Sequence, residues 1–317
     1  MTVVALASPS SETARLGKLA EYQILDTPPE KEFDEITQIA AKLIGAPISL
    51  VSLVDRDRHW FKARYGLNAI ETPREYAFCA HAIKSDNVYV VDDATKNPLF
   101  SENPLVTGAP DIRFYAGAPL ITPDNFRLGT LCVIDTQPHD GLSADAETIL
   151  TLLARMVVNA MESRRLAMRA QHQARMMTQL AENIVALSQA STLADVGRML
   201  ADSARALAVA DATCVHFSKG GDFVATRDGK KSPAPAEIPW QARGLFTAAT
   251  AKDVTQNQGA AEKGSWMGFL IGLDKTKPIG HLQLWRQYTT TFTDLEKAML
   301  TDLARVASAV AERLVRK

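Results

Sequence analysis

Cys79 and His81, in the run FCAHAI, carry the most chemistry of any close pair in this chain. A thiolate and an imidazole both bind borderline metals, but a zinc site takes three or four ligands and nothing nearby completes the set. If the run is helical, residues two apart diverge by about 200° and do not converge on one ion. Cys79 then reads as a small buried hydrophobe, and no metal is expected. Cys132 and Cys214 lie in strand-like runs, and the three thiols form no Cys-x-x-Cys pair and no disulfide framework, which suits a reducing compartment. Lys62, Arg74, Lys84 and Arg113 are types that meet phosphates, Arg with a bidentate fork, yet no Gly-rich phosphate loop accompanies them. His172 stands on a long helical stretch without a kinase pattern around it. No catalytic set is read, and no turnover is expected. What does gather is aromatic: Tyr65, Tyr76, Phe78, Phe100, Phe114 and Tyr115 crowd one part of the chain. With Cys79, His81 and Arg113 they are the candidate pocket residues, since a ligand pocket is mostly apolar with a few placed polar groups. A filled core would gather the same side chains.

The elements around these residues alternate helix and strand. Apolar spacing at Leu16, Leu19 and Ile24, then at Phe33, Ile36, Ile39, Ala40 and Leu43, predicts two helices separated by Pro28 and Pro29. Ile48–Leu53 and Trp60–Ala63 predict a hairpin over the polar turn Asp55–Asp57, and Val88–Val91 a short strand. Asn97–Asp111 reads as a long loop, and Phe114–Leu120 with Leu128–Ile134 as a second hairpin. Helices at both ends with strands between predict an α+β module on an antiparallel sheet.

From Ile149 to Leu187 apolar residues keep heptad phase, and no Gly or Pro occurs between Gly141 and Gly197. The pattern predicts one helix of about 40 residues, on the order of 60 Å long. Such a helix has more apolar stripe than one small domain covers, so a coiled-coil seam with a second copy is expected, through Met156, Leu166, Met177, Leu180, Ile184 and Leu187. A bent helix folding back between domains is the alternative.

Leu150, Thr151, Leu153, Ala154, Arg155 and Glu162 recur at an offset of 150 as Leu300, Thr301, Leu303, Ala304, Arg305 and Glu312. Each helix follows a strand-like run with Gly in second place, LGTLCVID from Leu128 and IGHLQLWR from Ile279. A repeat this long means tandem domains rather than a solenoid. The reading is 1–148 for the first domain with its N-terminal helices, 149–191 for the connecting helix, and 192–317 for the second domain. With 35 basic against 36 acidic residues, no global charge drives binding to nucleic acid or an anionic membrane. No apolar run approaches the roughly 20 residues of a membrane helix, and the first residues lack a basic secretory segment. A cytoplasmic protein is expected.

The run HWFKARYGLNAIETPREYAFCAHAI, His59–Ile83, closely resembles the bacterial GAF domain, a small-molecule-binding sensory module. The resemblance extends over Ala14–Arg165 through LDTPPEKEFDEI, DDATKNPLFSENPLVTGAPDIRFYAGAPL and GTLCVID. The second half resembles it by element order alone. It lacks counterparts of FCAHAI and NPLVTG, and its stretch between strands, Asp222–Gly268, is shorter. The resemblance implies two domains, each a six-stranded antiparallel sheet flanked by helices, with a ligand cavity in the first roofed by Tyr65–Ile112. Photosensory relatives anchor a bilin on a cysteine directly followed by His, but Ala80 intervenes here, so no covalent chromophore is expected. A reductase branch of the family acts on methionine sulfoxide through paired thiols, and its cysteine pattern is absent. The residue set of cyclic-nucleotide-binding relatives is not matched either, which leaves the ligand unknown. The resulting expectation is a non-catalytic sensory homodimer that passes a ligand signal along the joining helix to a downstream signalling protein. The alternatives are the sensory portion of a larger signalling enzyme, a histidine kinase or cyclic-dinucleotide synthase, and a structural scaffold with filled pockets; a bilin photoreceptor and a thiol-dependent methionine sulfoxide reductase rank below them. Against the first of these, the chain starts at Met1 and shows no phospho-acceptor or nucleotide-binding motif.

Overall fold

The structure, a computed structural model, describes residues 9–226, 265–273, 278–286 and 292–316. The chain divides into two compact units, Met1–Arg169 and Ala170–Lys317.

In the first unit, α1 (Pro9–Tyr22) and α2 (Lys31–Ile44) lie on either side of the Pro28–Pro29 pair. α2 buries Phe33, Ile36 and Ala40 at helical spacing. It stops at Gly45, which takes φ 78 and returns its N–H to Ala41 O, a left-handed cap that glycine adopts without a Cβ penalty. The chain then enters β1 (Ile48–Val54), buried along its whole length because both faces of the sheet are covered. The remaining strands are β2 (Arg58–Tyr65), β3 (Glu71–Pro73), β4 (Tyr89–Val91), β5 (Phe114–Ile121) and β6 (Arg127–Asp135). They form one six-stranded sheet in the order β3-β2-β1-β6-β5-β4, every pair antiparallel. Short helices α3 (Cys79–Ala82) and α4 (Pro104–Thr107) interrupt the segment between β3 and β5.

Because strand side chains alternate, the sheet divides its residues between two cores. Val51, Leu53, Phe114, Ala116, Leu131 and Val133 face the helices, where Leu19, Phe33, Ile36, Leu150 and Val157 meet them. Leu50, Phe61, Tyr115, Cys132 and Ile134 face the irregular segment, where Phe78, Cys79, Phe100 and Ile112 complete a second core.

α5 runs unbroken from Ala144 to Ser188, 45 residues, so the long helix is continuous. The expected seam is not uniform. Met156, Leu166 and Met177 are exposed, whereas Leu180 and Leu187 are buried and Ile184 half-buried in the second unit's core. The heptad row left open is Leu152, Met156, Asn159, Ser163, Leu166, Ala170, Gln173 and Met177. Beyond it the same phase is used to close a domain.

The second unit contains α6 (Leu193–Leu207), β7 (Ala212–Phe217), β8 (Gly221–Thr226), β9 (Ser265–Ile271), β10 (Gly280–Arg286) and α7 (Asp294–Val315). Its described strands form an antiparallel sheet in the order β8-β7-β10-β9, matching β2-β1-β6-β5 of the first. The repeat has a physical basis in shared contacts. Leu150 and Leu300 are both fully buried, as are Leu153 with Leu303 and Ala154 with Ala304 nearly so. The second-place glycines also coincide in role. A Cβ on Gly129 would lie 1.9 Å from Ser52 O, and one on Gly280 would lie 2.1 Å from His216 O, so each lets the facing strand's backbone approach. Of the six strands expected here four lie among the described residues, and most of the shortened stretch Asp222–Gly268 lies outside them.

Candidate functional site

The face of the first sheet away from its helices encloses a cavity of about 290 Å³, partly open to solvent, near the lower bound of small-molecule sites. Its floor is Ile48 and Leu50 of β1, Phe61 of β2 and Ile134 of β6. Leu67, Leu105 and Ile112 of the irregular segment form the walls. Against this apolar lining stand His59, Thr72, Cys79 and Tyr115.

His59 comes from the start of β2, where the alternation of the strand puts it on the cavity side with Phe61, whose ring it meets edge-on at 4.8 Å. Its Nδ1 lies 3.3 Å from Thr72 Oγ1 across the β2-β3 pair. Its Nε2 is buried and has no hydrogen-bond partner. A buried polar atom without a partner is costly, which makes Nε2 a candidate contact for a polar group.

Cys79 opens α3, and Cys132 sits mid-sheet in β6 opposite Leu50 and Gly117. Their sulfurs are 4.0 Å apart and both residues are buried. Tyr115 donates its hydroxyl to Cys79 Sγ at 3.2 Å. Thr130 Oγ1 lies 3.0 Å from Ser52 Oγ and 3.4 Å from Tyr115 Oη. Tyr115 reaches Cys79 because its ring folds back over its own strand, where a Cβ on Gly117 would come within 2.1 Å of the phenol oxygen. Burial alone pushes the Cys79 thiol up. The hydrogen bond with Cys132, the His59 ring and the Ser52 hydroxyl outweigh it, holding Cys79 below the ordinary thiol range. Cys132 moves the other way, raised by that same bond, by burial and by the charge Cys79 carries when ionised. Burial raises Tyr115 too, so it stays a neutral donor. Of the pair, Cys79 is the sulfur that ionises first.

The residues expected at the pocket divide. Phe78, Cys79 and Tyr115 line the cavity. Phe100 stacks on Phe78 at 3.9 Å from behind, and His81 packs edge-on to Phe100 at 5.1 Å, away from Cys79 as helix geometry requires. Tyr76 lies in the 3-10 turn Arg74–Tyr76, and Tyr65 stands at the exposed end of β2. Arg113 donates to Val106 O and Ile112 O, fixing the segment rather than facing the cavity. Phe114, one residue from Tyr115, faces the helix core and stacks on His139 at 4.0 Å. The cations considered for phosphate are engaged elsewhere. Lys62 is fully buried on the helix side, bonded to Thr27, Pro28 O and Glu30, while Arg74 holds Glu12 and two backbone carbonyls. Lys84 borders a polar surface cleft with Arg56 and Arg74. His59, Thr72, Ser52 and Thr130 were not anticipated. For Ser52, Thr130 and His59 the available signal was their type, hydroxyls and an imidazole in runs with buried apolar neighbours, whereas Thr72 stands in the polar run Glu71–Glu75 and carried none.

Among the described residues no group of three His, Cys, Asp or Glu is placed to hold a metal, and no helix is long and apolar enough to cross a membrane.

With this geometry in place, residues 28–161 of the first unit match the GAF domain family, and that segment is a GAF domain. A cyclic di-GMP phosphodiesterase of Pseudomonas aeruginosa is 41% identical over 150 residues, covering 47% of this chain and 26% of the relative. The chain thus spans about a quarter of that relative's length, and the phosphodiesterase activity is a property of that protein. A bacteriophytochrome of R. palustris covers 95% of this chain and 76% of its own at 13% identity and a TM-score of 0.46. The GAF domain of an Acinetobacter phosphoenolpyruvate-protein phosphotransferase covers 50% and 95% at 17% identity and a TM-score of 0.37.

Proposed function

We propose that the chain is a cytoplasmic sensory homodimer whose first unit binds a small, mostly apolar molecule carrying one hydrogen-bonding group. The observation that carries this reading is the apolar cavity of about 290 Å³ with His59 Nε2 buried and unpartnered beside it. A route outward lies in β6. Cys132 and Ile134 face the cavity-side core, while Leu131 and Val133 on the same strand pack in the core that contains Leu150 and Val157 of α5. A ligand that shifts β6 therefore bears on the helix, and packed interfaces respond by switching between discrete arrangements. The open row from Leu152 to Met177 gives two copies of α5 a seam of roughly 37 Å at 1.5 Å per residue.

Native mass spectrometry of the purified chain, with thermal-shift screening of a metabolite library, tests the ligand. A bound small molecule or a stabilising hit is expected, and Leu67→Trp at the cavity wall abolishes it. Hits that survive Leu67→Trp place the ligand elsewhere. For the dimer, light scattering at micromolar concentration should give twice the chain mass, and Leu166→Glu with Met177→Glu should halve it. A wild-type monomer rejects the seam.

A second reading has specific support in the Pseudomonas relative, where the shared region belongs to a cyclic di-GMP phosphodiesterase. On this reading the module controls a cyclic-dinucleotide enzyme. Cellular cyclic di-GMP would then change when the cavity is blocked by Leu67→Trp, and an unchanged level rejects it.

A further inference from the structure

We propose that Cys79 and Cys132 are a peroxide-reactive thiol pair, with a small organic hydroperoxide as substrate. The inference rests on the cavity reading above and adds chemistry to it. Cys79 lines the cavity and Cys132 does not, so an entering molecule meets Cys79 first, with the second sulfur 4.0 Å behind it. That is the arrangement of an attacking and a resolving thiol.

The atoms balance without a bound cofactor. Cys79 loses its proton to the His59 side, and the thiolate attacks the terminal oxygen of the hydroperoxide. The O–O bond breaks, and the leaving alkoxide takes the proton back to become an alcohol. His59 is assigned to this relay because it lines the same cavity as Cys79 and its buried Nε2 has no hydrogen-bond partner. Cys79 is now a sulfenic acid. Cys132 sulfur attacks Cys79 sulfur, the S–O bond breaks, and hydroxide leaves with the Cys132 proton as water. Two thiols have given two electrons to one O–O bond, leaving a disulfide.

Closing from 4.0 Å to a sulfur–sulfur bond of about 2.05 Å requires one partner to move. Cys132 is pinned between β1 and β5 in the middle of the sheet, whereas Cys79 rides on a four-residue helix in the irregular segment. The disulfide therefore draws α3 toward the sheet and narrows the cavity that admitted the oxidant. The apolar lining selects the substrate, because an aryl or alkyl hydroperoxide gains burial that hydrogen peroxide does not.

The test uses the full reduced chain and one equivalent of cumene hydroperoxide, with hydrogen peroxide in parallel. Of the three thiols, two should disappear, the intact mass should fall by about 2 Da, and peptide mapping should join Cys79 to Cys132 with Cys214 free. Cumene hydroperoxide should react about tenfold faster or more. In Cys132→Ser the reaction should stop at a Cys79 sulfenic acid that dimedone traps. Three surviving thiols, a bridge to Cys214, or equal rates with both peroxides would each overturn the proposal. If Cys132→Ser does not fold, the wild-type peptide map decides alone. Failure here is distinguishable from failure of the ligand reading. A library ligand that binds while the thiols stay inert rejects only this inference, and oxidation by both peroxides at equal rate in a chain that binds nothing rejects both.

Discussion

The two faces of the first sheet are made by the same strands, yet one is packed and the other is hollow. On β6, Leu131 and Val133 meet helices, while Cys132 and Ile134 meet a segment with little regular structure. Helices bring long apolar stripes that fill the space between layers. The irregular segment brings short helices, turns and a few large rings, which close over the sheet without filling it. The polar side chains follow the same division. Ser52, Thr130, Tyr115 and the two thiols form a connected group on the hollow face. Residue parity along the strands thus assigns one set of side chains to the helix-packed core and the other to the cavity side.

The largest expected effect tests that separation directly. Leu131→Ala on the packed face should cost about 2–5 kcal/mol of unfolding free energy, because it opens a cavity among helices that cannot collapse into it. Leu50→Ala on the hollow face should cost less, by roughly 1 kcal/mol or more, since Leu50 already borders empty space. Urea denaturation of the two variants measures the difference. Equal losses would break the comparison and mean that the cavity is occupied in the purified protein.

Gly117→Val sharpens it at a second level. The new side chain meets the Tyr115 phenol, so the ring must leave Cys79, at a cost of about 1–3 kcal/mol for overpacking. Tyr115→Phe should be milder in stability and should slow thiol oxidation as Gly117→Val does, because both remove the hydroxyl that bonds Cys79. Unchanged thiol reactivity in both variants would show that the Tyr115 contact is packing alone.

Much of this was legible in the sequence. Period-2 and period-3.6 patterns located the hairpins and helices, and the offset repeat pairs Leu150 with Leu300, which are buried alike, although the compact units divide at Arg169 and Ala170 rather than at either end of the expected connecting helix. The site was less legible, for physical reasons. Clustering in sequence brought Phe114 and Arg113 into the candidate pocket, but strand alternation turns Phe114 to the other face and Arg113 is used up on backbone carbonyls. Cys79 and Cys132 are 53 positions apart, and only sheet register together with the path of α3 brings them face to face. His59 stands in a strand whose parity is shifted by a register change between Val51 and Ser52, so its face could not be counted off from β1. The seam failed in part for a related reason. Heptad phase continues through Leu180 and Leu187, but the same phase serves a second copy or the chain's own core, and only the fold decides.

The smallest expected effect concerns the tie between the two faces. Glu12, on the helix that packs Leu19 and Tyr22 into the solid core, accepts from Arg15 at 2.8 Å and from Arg74 at 2.7 Å. Arg74 begins the turn that leads to Cys79 and also holds Asp55 O, so this one carboxylate joins α1 to the approach of the hollow face. The Arg15 bond, with help from Arg74 and against the opposing effect of burial, lowers the carboxyl from 4.5 to about 2. A folded-state value below the unfolded one means stability that is fully present above about pH 4.5 and lost as pH falls toward 2. Thermal midpoints of wild type and Glu12→Gln should therefore differ at neutral pH and converge across that window. The difference should be small and should shrink in high salt, because the carboxylate is a third exposed and solvent screens it. Other paired carboxylates, Asp26 and Glu30 among them, are lowered too, so both proteins lose stability in acid and only the gap between their curves reports on Glu12. Parallel curves from pH 7 to pH 2 would mean that the α1 tie contributes nothing and that the two faces are joined through the strands alone.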